Sequence, residues 1–160
     1  MNIIISPAKK MNVREDELDS AGLPCFLSKA EILKEYVRNL SREEARNMWA
    51  CNERIAALNY ERFRNMDLTS RLTPALLSYE GIQYQYMAPG VFEQKSWDYV
   101  QSHLRILSGF YGILRPLDGI VPYRLEMQAK VELPSGIKSL AGKGNAFAKG
   151  GGTERDYQSV

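Results

Sequence analysis

The 160-residue chain has one histidine, two cysteines and no long apolar run, and each shortage excludes a class of function. One histidine cannot supply a histidine-rich metal site. Cys25 and Cys51 lack CxxC spacing, so they are expected to be ordinary thiols in a reducing compartment. No segment approaches the roughly 18 apolar residues of a membrane span or the about 7–15 of a signal-peptide core. The sequence predicts a cytoplasmic protein without a membrane partner. No cofactor or bound metal is expected, although the composition leaves a carboxylate metal site open.

The chain also lacks a large excess of either charge, because 21 basic and 19 acidic residues give a formal net charge of only +2. The whole-molecule charge therefore does not require a nucleic-acid partner, although a local basic patch can still steer an anion. A GxxxxGK[ST] motif is absent, which excludes a Walker-type phosphate loop. The remaining composition, 44% hydrophobic and 25% charged, is typical of one globular domain with a buried core.

Three consecutive amphipathic helices are predicted in the first half of the chain. Ser28 with Glu31, and Ser41 with Glu44, have the spacing of a capping box. Asn52 is a candidate N-cap for the third helix. Three consecutive amphipathic helices should form a helical lobe. The alternating charges along them indicate that one face of the lobe is solvated.

The middle of the chain mixes strand and helix patterns. Pro74–Tyr79 resembles a strand, and Ile82–Met87 alternates apolar and polar residues as a half-buried strand does. A helix is expected to begin at Ser96 and to end at Gly109. The alternative is that Arg105–Ser108 already forms a strand, and the sequence leaves this open.

The chain changes character near Leu140. Residues 141–160 contain five glycines and neither leucine nor isoleucine, so they cannot bury enough apolar area to offset their chain entropy. We predict an α/β fold over residues 1–140, with an α+β mixed sheet and the helical lobe, followed by a flexible glycine-rich tail.

The first candidate site follows the N-terminal strand, Asn2–Ile5, which Pro7 ends because proline cannot donate to a sheet ladder. Ligands favour the carboxyl edge of strands in open α/β sheets. Ser6 can donate a hydroxyl there, and Lys9 and Lys10 can meet a phosphate as point charges. The alternative is a strand end followed by solvated lysines.

The second candidate site is 103–127, where closely spaced glycines and prolines predict a shaped loop. Its arginines suit bidentate recognition of phosphate or carboxylate, and amides near its glycines could form an anion nest. The alternative is that Arg115–Asp118 and Arg124–Glu126 are ion pairs that brace the loop. The candidate phosphate-binding residues of both segments are Ser6, Lys9, Lys10, Arg105, Gly109, Gly112, Arg115, Tyr123 and Arg124.

The stretch 107–113 has a faint likeness to a helix-hairpin-helix, since two glycines and two apolar residues stand in a tight connection. Such hairpins present backbone amides to DNA phosphates, and phosphate contacts dominate affinity. The glycines of the usual hairpin are two positions apart, whereas here they are three apart.

Residues 5–9 (ISPAK), 103–118 (HLRILSGFYGILRPLD) and 122–127 (PYRLEM) resemble the YaaA family of peroxide-stress proteins. The resemblance covers about residues 1–140. It implies a cytoplasmic bacterial protein that limits peroxide damage by keeping free intracellular iron low. It also implies DNA binding through a basic cleft with a helix-hairpin-helix element, without an assigned enzymatic activity.

The chain departs from this family after Leu140, where members continue with an FWG-type motif and a further α/β half. We therefore hypothesise a truncated or frameshifted remnant, which reading the other frames of the encoding DNA would test.

The leading functional hypothesis is a peroxide-response protein that binds the phosphate backbone of duplex DNA. The alternatives are a non-functional remnant and an enzyme acting on a nucleotide or nucleic-acid base. In the enzyme, Ser6, Lys9 and Arg124 would orient a phosphate, with Asp118 or Glu126 as general base.

Overall fold

The computed structural model describes residues 1–131 except Asp16, Gln128 and Lys130. The predicted domain end at Leu140 and the predicted tail lie outside the described residues. The elements in chain order are β1 (Ile3–Ile5), β2 (Lys10–Met11), α1 (Leu27–Arg38), α2 (Arg42–Trp49), α3 (Glu53–Arg64), β3 (Thr73–Pro74), α4 (Ala75–Ser78), β4 (Tyr79–Glu80), α5 (Ile82–Met87), a 3₁₀ turn (Pro89–Val91), α6 (Gln94–His103), β5 (Leu104–Ser108), β6 (Gly112–Leu114) and β7 (Gly119–Ile120).

The central sheet has the order β1-β5-β6, with β1 parallel to β5 and β5 antiparallel to β6. Two short antiparallel pairs, β2-β4 and β3-β7, lie beside it in the described part of the chain. Burial alternates along β5, so Ile106 faces the core while Arg105 and Leu107 are half-buried on the other face. The predicted α/β fold with a mixed sheet and a helical lobe is confirmed.

The helical lobe consists of α1, α2 and α3, and two of its three predicted caps are correct. Ser41 and Glu44 form a complete capping box at α2. The Asn52 side chain accepts a hydrogen bond from the backbone at the start of α3. The predicted cap at Ser28 is wrong, because α1 begins at Leu27 and Ser28 already lies in its first turn.

Two segments predicted as strands are mainly helical. Only the ends of Pro74–Tyr79 are extended, and the intervening α4 is buried on all sides, so it has no amphipathic pattern. Ile82–Met87 is the helix α5, in which Tyr84 is the buried residue. Ile82 and Tyr86 are 71% and 85% exposed, so the alternation of apolar residues did not report burial.

The predicted helix from Ser96 to Gly109 is wrong in its last turns. Helix α6 ends at His103, and the alternative of a strand over Arg105–Ser108 is confirmed by β5. The inter-strand hydrogen bonds to β1 and β6 override the helical spacing of the leucines. None of the helices among the described residues is both long and apolar enough to cross a membrane.

An aromatic core joins the helical lobe to the sheet. The ring of Phe63 in α3 meets that of Phe110 edge-on, with 5.6 Å between centroids. Phe110 stacks on Tyr123 at 5.0 Å, and Tyr111 meets Tyr123 edge-on at 5.4 Å. Such contacts bury large apolar areas, so they fix both the turn after β5 and the segment around Tyr123.

Candidate anion-binding cleft

A concave cleft of about 420 Å³ lies where β1 ends. Two segments that are far apart in the chain line it, 6–9 and 123–127. These belong to the two regions that the sequence marks as candidate sites. Parallel pairing places the end of β1 beside β5, and Gly109, just after β5, packs against 125–127.

The first wall, 6–9, is held by the corner between β4 and α5. The hydroxyl of Tyr84 donates to the carbonyl oxygen of Ser6 at 2.8 Å. A Cβ placed on Gly81 would lie 3.1 Å from the Cβ of Ala8, so this corner packs directly against the wall. The loop after β1 is therefore braced from behind.

The second wall is backed by the turn after β5. A Cβ placed on Gly109 would lie 2.8 Å from the carbonyl oxygen of Leu125 and 2.9 Å from backbone atoms of Glu126 and Met127. Only glycine allows so close an approach of two backbones. Gly109 thus supports the wall from which Arg124 and Glu126 extend.

The charged groups of the cleft meet at one carboxylate oxygen. The Nζ of Lys9 lies 3.1 Å from Oε1 of Glu126, and Nη2 of Arg124 lies 3.5 Å from the same atom. The Arg124 side chain is 13% exposed, and its Nε is buried without a hydrogen-bond partner among the described residues. The Arg124–Glu126 ion pair, which the sequence left open, is therefore present, and Lys9 shares it.

A buried hydroxyl network lies beneath the cleft. The Tyr123 hydroxyl is 2.6 Å from Oγ of Ser108 and 2.8 Å from the hydroxyl of Tyr79. Burial raises the pKa of Tyr123 to about 12 and that of Tyr79 well above its usual value. Both phenols therefore stay protonated at neutral pH, and Tyr123 shapes the cleft as a neutral hydrogen-bonded ring.

The predicted anion nest and helix-hairpin-helix at 107–113 are both wrong. The amides of Phe110 and Tyr111 donate to Ser108 Oγ at 3.1 and 3.0 Å, so they are already paired internally. The flanking elements are the antiparallel strands β5 and β6. Gly112 has a φ of 77°, which a tight hairpin of strands requires and which glycine adopts without strain.

The other predicted cations do not line the cleft. Lys10 pairs with Glu80 at 2.8 Å across β2 and β4. The Nη1 of Arg105 donates to the carbonyl oxygens of Gln101 and Leu104 at 3.0 and 2.7 Å. Of the predicted phosphate-binding residues, the structure gathers four around the cleft: Ser6, Lys9, Tyr123 and Arg124.

Arg115 belongs to a second cluster, centred on Asp118. The Arg115 amide donates to Oδ2 of Asp118 at 2.8 Å. Burial raises the pKa of Asp118 to about 6, although that amide and the charges of Arg115 and Arg105 act in the opposite direction. The Arg115 amide thus braces this loop on Asp118, while the Arg115–Asp118 ion pair that the sequence left open stays a prediction.

The Asp118 carboxyl should make stability depend on pH. Because burial raises its pKa from 3.8 to about 6, its stabilising contribution is complete below about pH 4 and is lost as the pH rises through 6. Asp118→Asn keeps an oxygen for the Arg115 amide but does not titrate. Between pH 4 and 7 the free energy of unfolding of the variant, relative to the parent, should rise by about 1–3 kcal/mol. Urea unfolding at both pH values tests this, and a constant difference would contradict it.

Sequence reasoning missed the residues that support the cleft from behind. Ser108, Tyr79 and Tyr84 contact their partners across 15, 44 and 78 positions of the chain, and no local spacing links such residues. A buried tyrosine in need of a hydrogen-bond partner is the one available signal.

Two cationic side chains and a serine line the cleft, and these residue types suit the recognition of an anion. Lys9 supplies a mobile ammonium, Arg124 a planar guanidinium, and Ser6 a hydroxyl at the rim. Among the described residues, no group of three or more His, Cys, Asp or Glu side chains is placed to hold a metal ion.

Comparison with known proteins identifies the family. A model described as "Peroxide stress protein YaaA" matches residues 1–142. UPF0246 proteins of Desulfitobacterium hafniense, Agathobacter rectalis and Pediococcus pentosaceus are 58%, 56% and 51% identical to the chain over 132, 133 and 133 residues. The matched stretch covers 82%, 83% and 83% of this chain and 53% of each relative, so the chain spans about half the length of these curated relatives. The resemblance seen in the sequence is thereby confirmed: the chain belongs to the YaaA family of peroxide stress proteins.

Proposed function

We propose that this chain serves the peroxide response in the cytoplasm by binding DNA phosphate at the cleft between 6–9 and 123–127. The proposal includes a contribution to keeping free intracellular iron low, which rests on family membership alone. The observation that carries the binding function is the convergence of Lys9 and Arg124 on one carboxylate oxygen.

That convergence supports anion binding because Oε1 of Glu126 occupies a position that a ligand oxygen could take. A phosphate oxygen there would accept charge-assisted hydrogen bonds from both cations. The Nε of Arg124 is buried and has no hydrogen-bond partner among the described residues, so the guanidinium keeps donor capacity beyond its contact with Glu126. Phosphate has enough acceptor oxygens to meet both cations at once.

A second candidate is an enzyme that acts on a nucleotide or nucleic-acid base. The concavity of the cleft favours it, because about 420 Å³ lies in the range of small-molecule sites. Glu126 would be the general base, since it lies in the cleft, whereas Asp118 belongs to the other cluster. A co-crystal with one ordered mononucleotide in the cleft, and turnover of it, would favour this candidate.

A salt titration of duplex DNA binding tests the leading proposal. The logarithm of the affinity should fall linearly with the logarithm of the salt concentration, because bound phosphates release counterions. Lys9→Ala should lower the affinity and reduce the magnitude of the slope by about 1. Lys95→Ala, which removes an exposed lysine of α6, serves as the control with the same change of charge.

The contradictory result is a flat salt dependence, or equal effects of Lys9→Ala and Lys95→Ala. Circular dichroism of the same samples must show the helical content of the fold. An unfolded parent chain would instead favour the non-functional remnant.

A further inference from the structure

We propose that Glu126 is the selectivity element of the cleft, a built-in counter-ion that a ligand must displace. Its consequence is a preference for dianionic phosphomonoesters over monoanionic phosphodiesters. This inference rests on the proposed function, since it names the kind of phosphate that the same cleft takes.

Glu126 occupies the point at which the two cations of the cleft meet. Its Oε1 is the meeting point of Lys9 Nζ and Arg124 Nη2, at 3.1 and 3.5 Å. The Glu126 side chain is 40% exposed and that of Lys9 is 71% exposed, so both can move without opening the core. Arg124 is the fixed member, because its side chain is only 13% exposed.

The charges set the requirement on the ligand. Lys9 and Arg124 carry two positive charges, and Glu126 neutralises one of them. Because Glu126 is attached to the same loop as Arg124, it competes at the high effective concentration of an intramolecular group. A phosphodiester brings one negative charge, so it replaces the carboxylate with little electrostatic gain.

A phosphomonoester gains more from the exchange. It carries about −1.5 to −2 charges at pH 7 and three strong acceptor oxygens. Those oxygens can accept from Lys9 and from Nη2 of Arg124 together and still leave an acceptor for a further donor. Glu126 offers only two oxygens and one charge, so the monoester displaces it and the diester does so poorly.

Two sources present this chemistry, the phosphorylated end of a DNA strand and a free mononucleotide. The test compares the affinity of the full chain for one duplex with 5′-phosphate ends and for the same duplex with 5′-hydroxyl ends. We expect the phosphorylated duplex to bind about tenfold more tightly.

Competition with deoxyadenosine monophosphate distinguishes the two sources. Displacement of the phosphorylated duplex at micromolar concentration indicates that the free nucleotide is the ligand, and displacement only at millimolar concentration indicates that the strand end is.

Glu126→Gln tests the role of the carboxylate itself. The variant should bind the 5′-hydroxyl duplex about tenfold more tightly than the parent does, and the preference for the phosphorylated end should shrink. Glu93→Gln, at an exposed residue just before α6, is the matched control for the change of net charge and should leave the preference intact.

Two different failures can be told apart. If neither duplex binds, or if Lys9→Ala has no effect on either, the proposed phosphate site itself is refuted. If the parent binds both duplexes with equal affinity and Lys9→Ala weakens both, the phosphate site stands and only the inference about Glu126 is overturned. An unchanged preference in Glu126→Gln also overturns the inference.

Discussion

Arg124→Met is expected to lower the affinity of the chain for 5′-phosphorylated duplex DNA by about 10–100-fold. Arg124 is the fixed cation of the cleft, because its side chain is 13% exposed and its Nη2 lies 3.5 Å from Glu126 Oε1. The change removes the planar guanidinium and leaves Glu126 to neutralise Lys9. Fluorescence anisotropy with a labelled duplex measures the affinity.

Two further variants show which property of Arg124 matters. Arg124→Lys keeps the charge but loses the planar set of donors, so it should fall between the parent and Arg124→Met. Arg54→Met removes an exposed arginine of α3 and should leave the affinity within about twofold, as expected of a distant exposed charge under screening. Equal losses in Arg54→Met and Arg124→Met would show that only net charge counts, which contradicts a defined site.

Gly109→Ala should lower the free energy of unfolding by about 1–3 kcal/mol, because the added methyl group overpacks a close backbone contact. The new Cβ would lie 2.8 Å from the carbonyl oxygen of Leu125 and 2.9 Å from backbone atoms of Glu126 and Met127. Backbone cannot swing aside as the end of a side chain can. The wall that carries Arg124 must therefore shift, and phosphate binding should weaken together with stability.

Gly22→Ala is the matched control for this prediction. A Cβ on Gly22 would meet no atom within 4 Å, so the same change should be neutral or stabilise by about 0.4–1 kcal/mol. Chemical denaturation of both variants gives the comparison. The close contact at Gly109 would be contradicted if Gly109→Ala unfolded at the same denaturant concentration as Gly22→Ala.

Features of the fold that depend on neighbouring residues were predictable from the sequence. The capping box of Ser41 and Glu44 and the cap at Asn52 were of this kind, since each bond closes within one helical turn. The strand predicted over Asn2–Ile5 was correct except for its first residue, because β-branched residues favour a strand and Pro7 ends it. The false cap at Ser28 shows the limit: the right spacing occurred two residues after the true N-cap, Phe26.

Features that depend on distant partners were not predictable. The choice of strand for β5 depends on pairing with β1 and β6. In α5 the apolar alternation does not match burial, since Tyr84 is the one buried residue of that helix. The local spacing of apolar residues therefore predicts neither the strand at β5 nor the helix at α5.

For the candidate site, too, the sequence predicted the local features and not the contacts between distant residues. The sequence indicated both segments of the cleft, because lysines after a strand and arginines in a shaped loop suit an anion. It did not separate Lys9 and Arg124, which converge, from Lys10 and Arg105, which contact Glu80 and backbone carbonyls instead. That separation follows from strand register and side-chain direction.

The most direct test of phosphate binding at this cleft is a crystal structure of the full chain with deoxyadenosine monophosphate. We expect the phosphate oxygens to lie within hydrogen-bonding distance of Lys9 Nζ and the Arg124 guanidinium, with Glu126 moved out of its present contacts. A phosphate bound elsewhere on the chain at saturating ligand, with the Lys9–Glu126–Arg124 contacts unchanged, would contradict the proposed site.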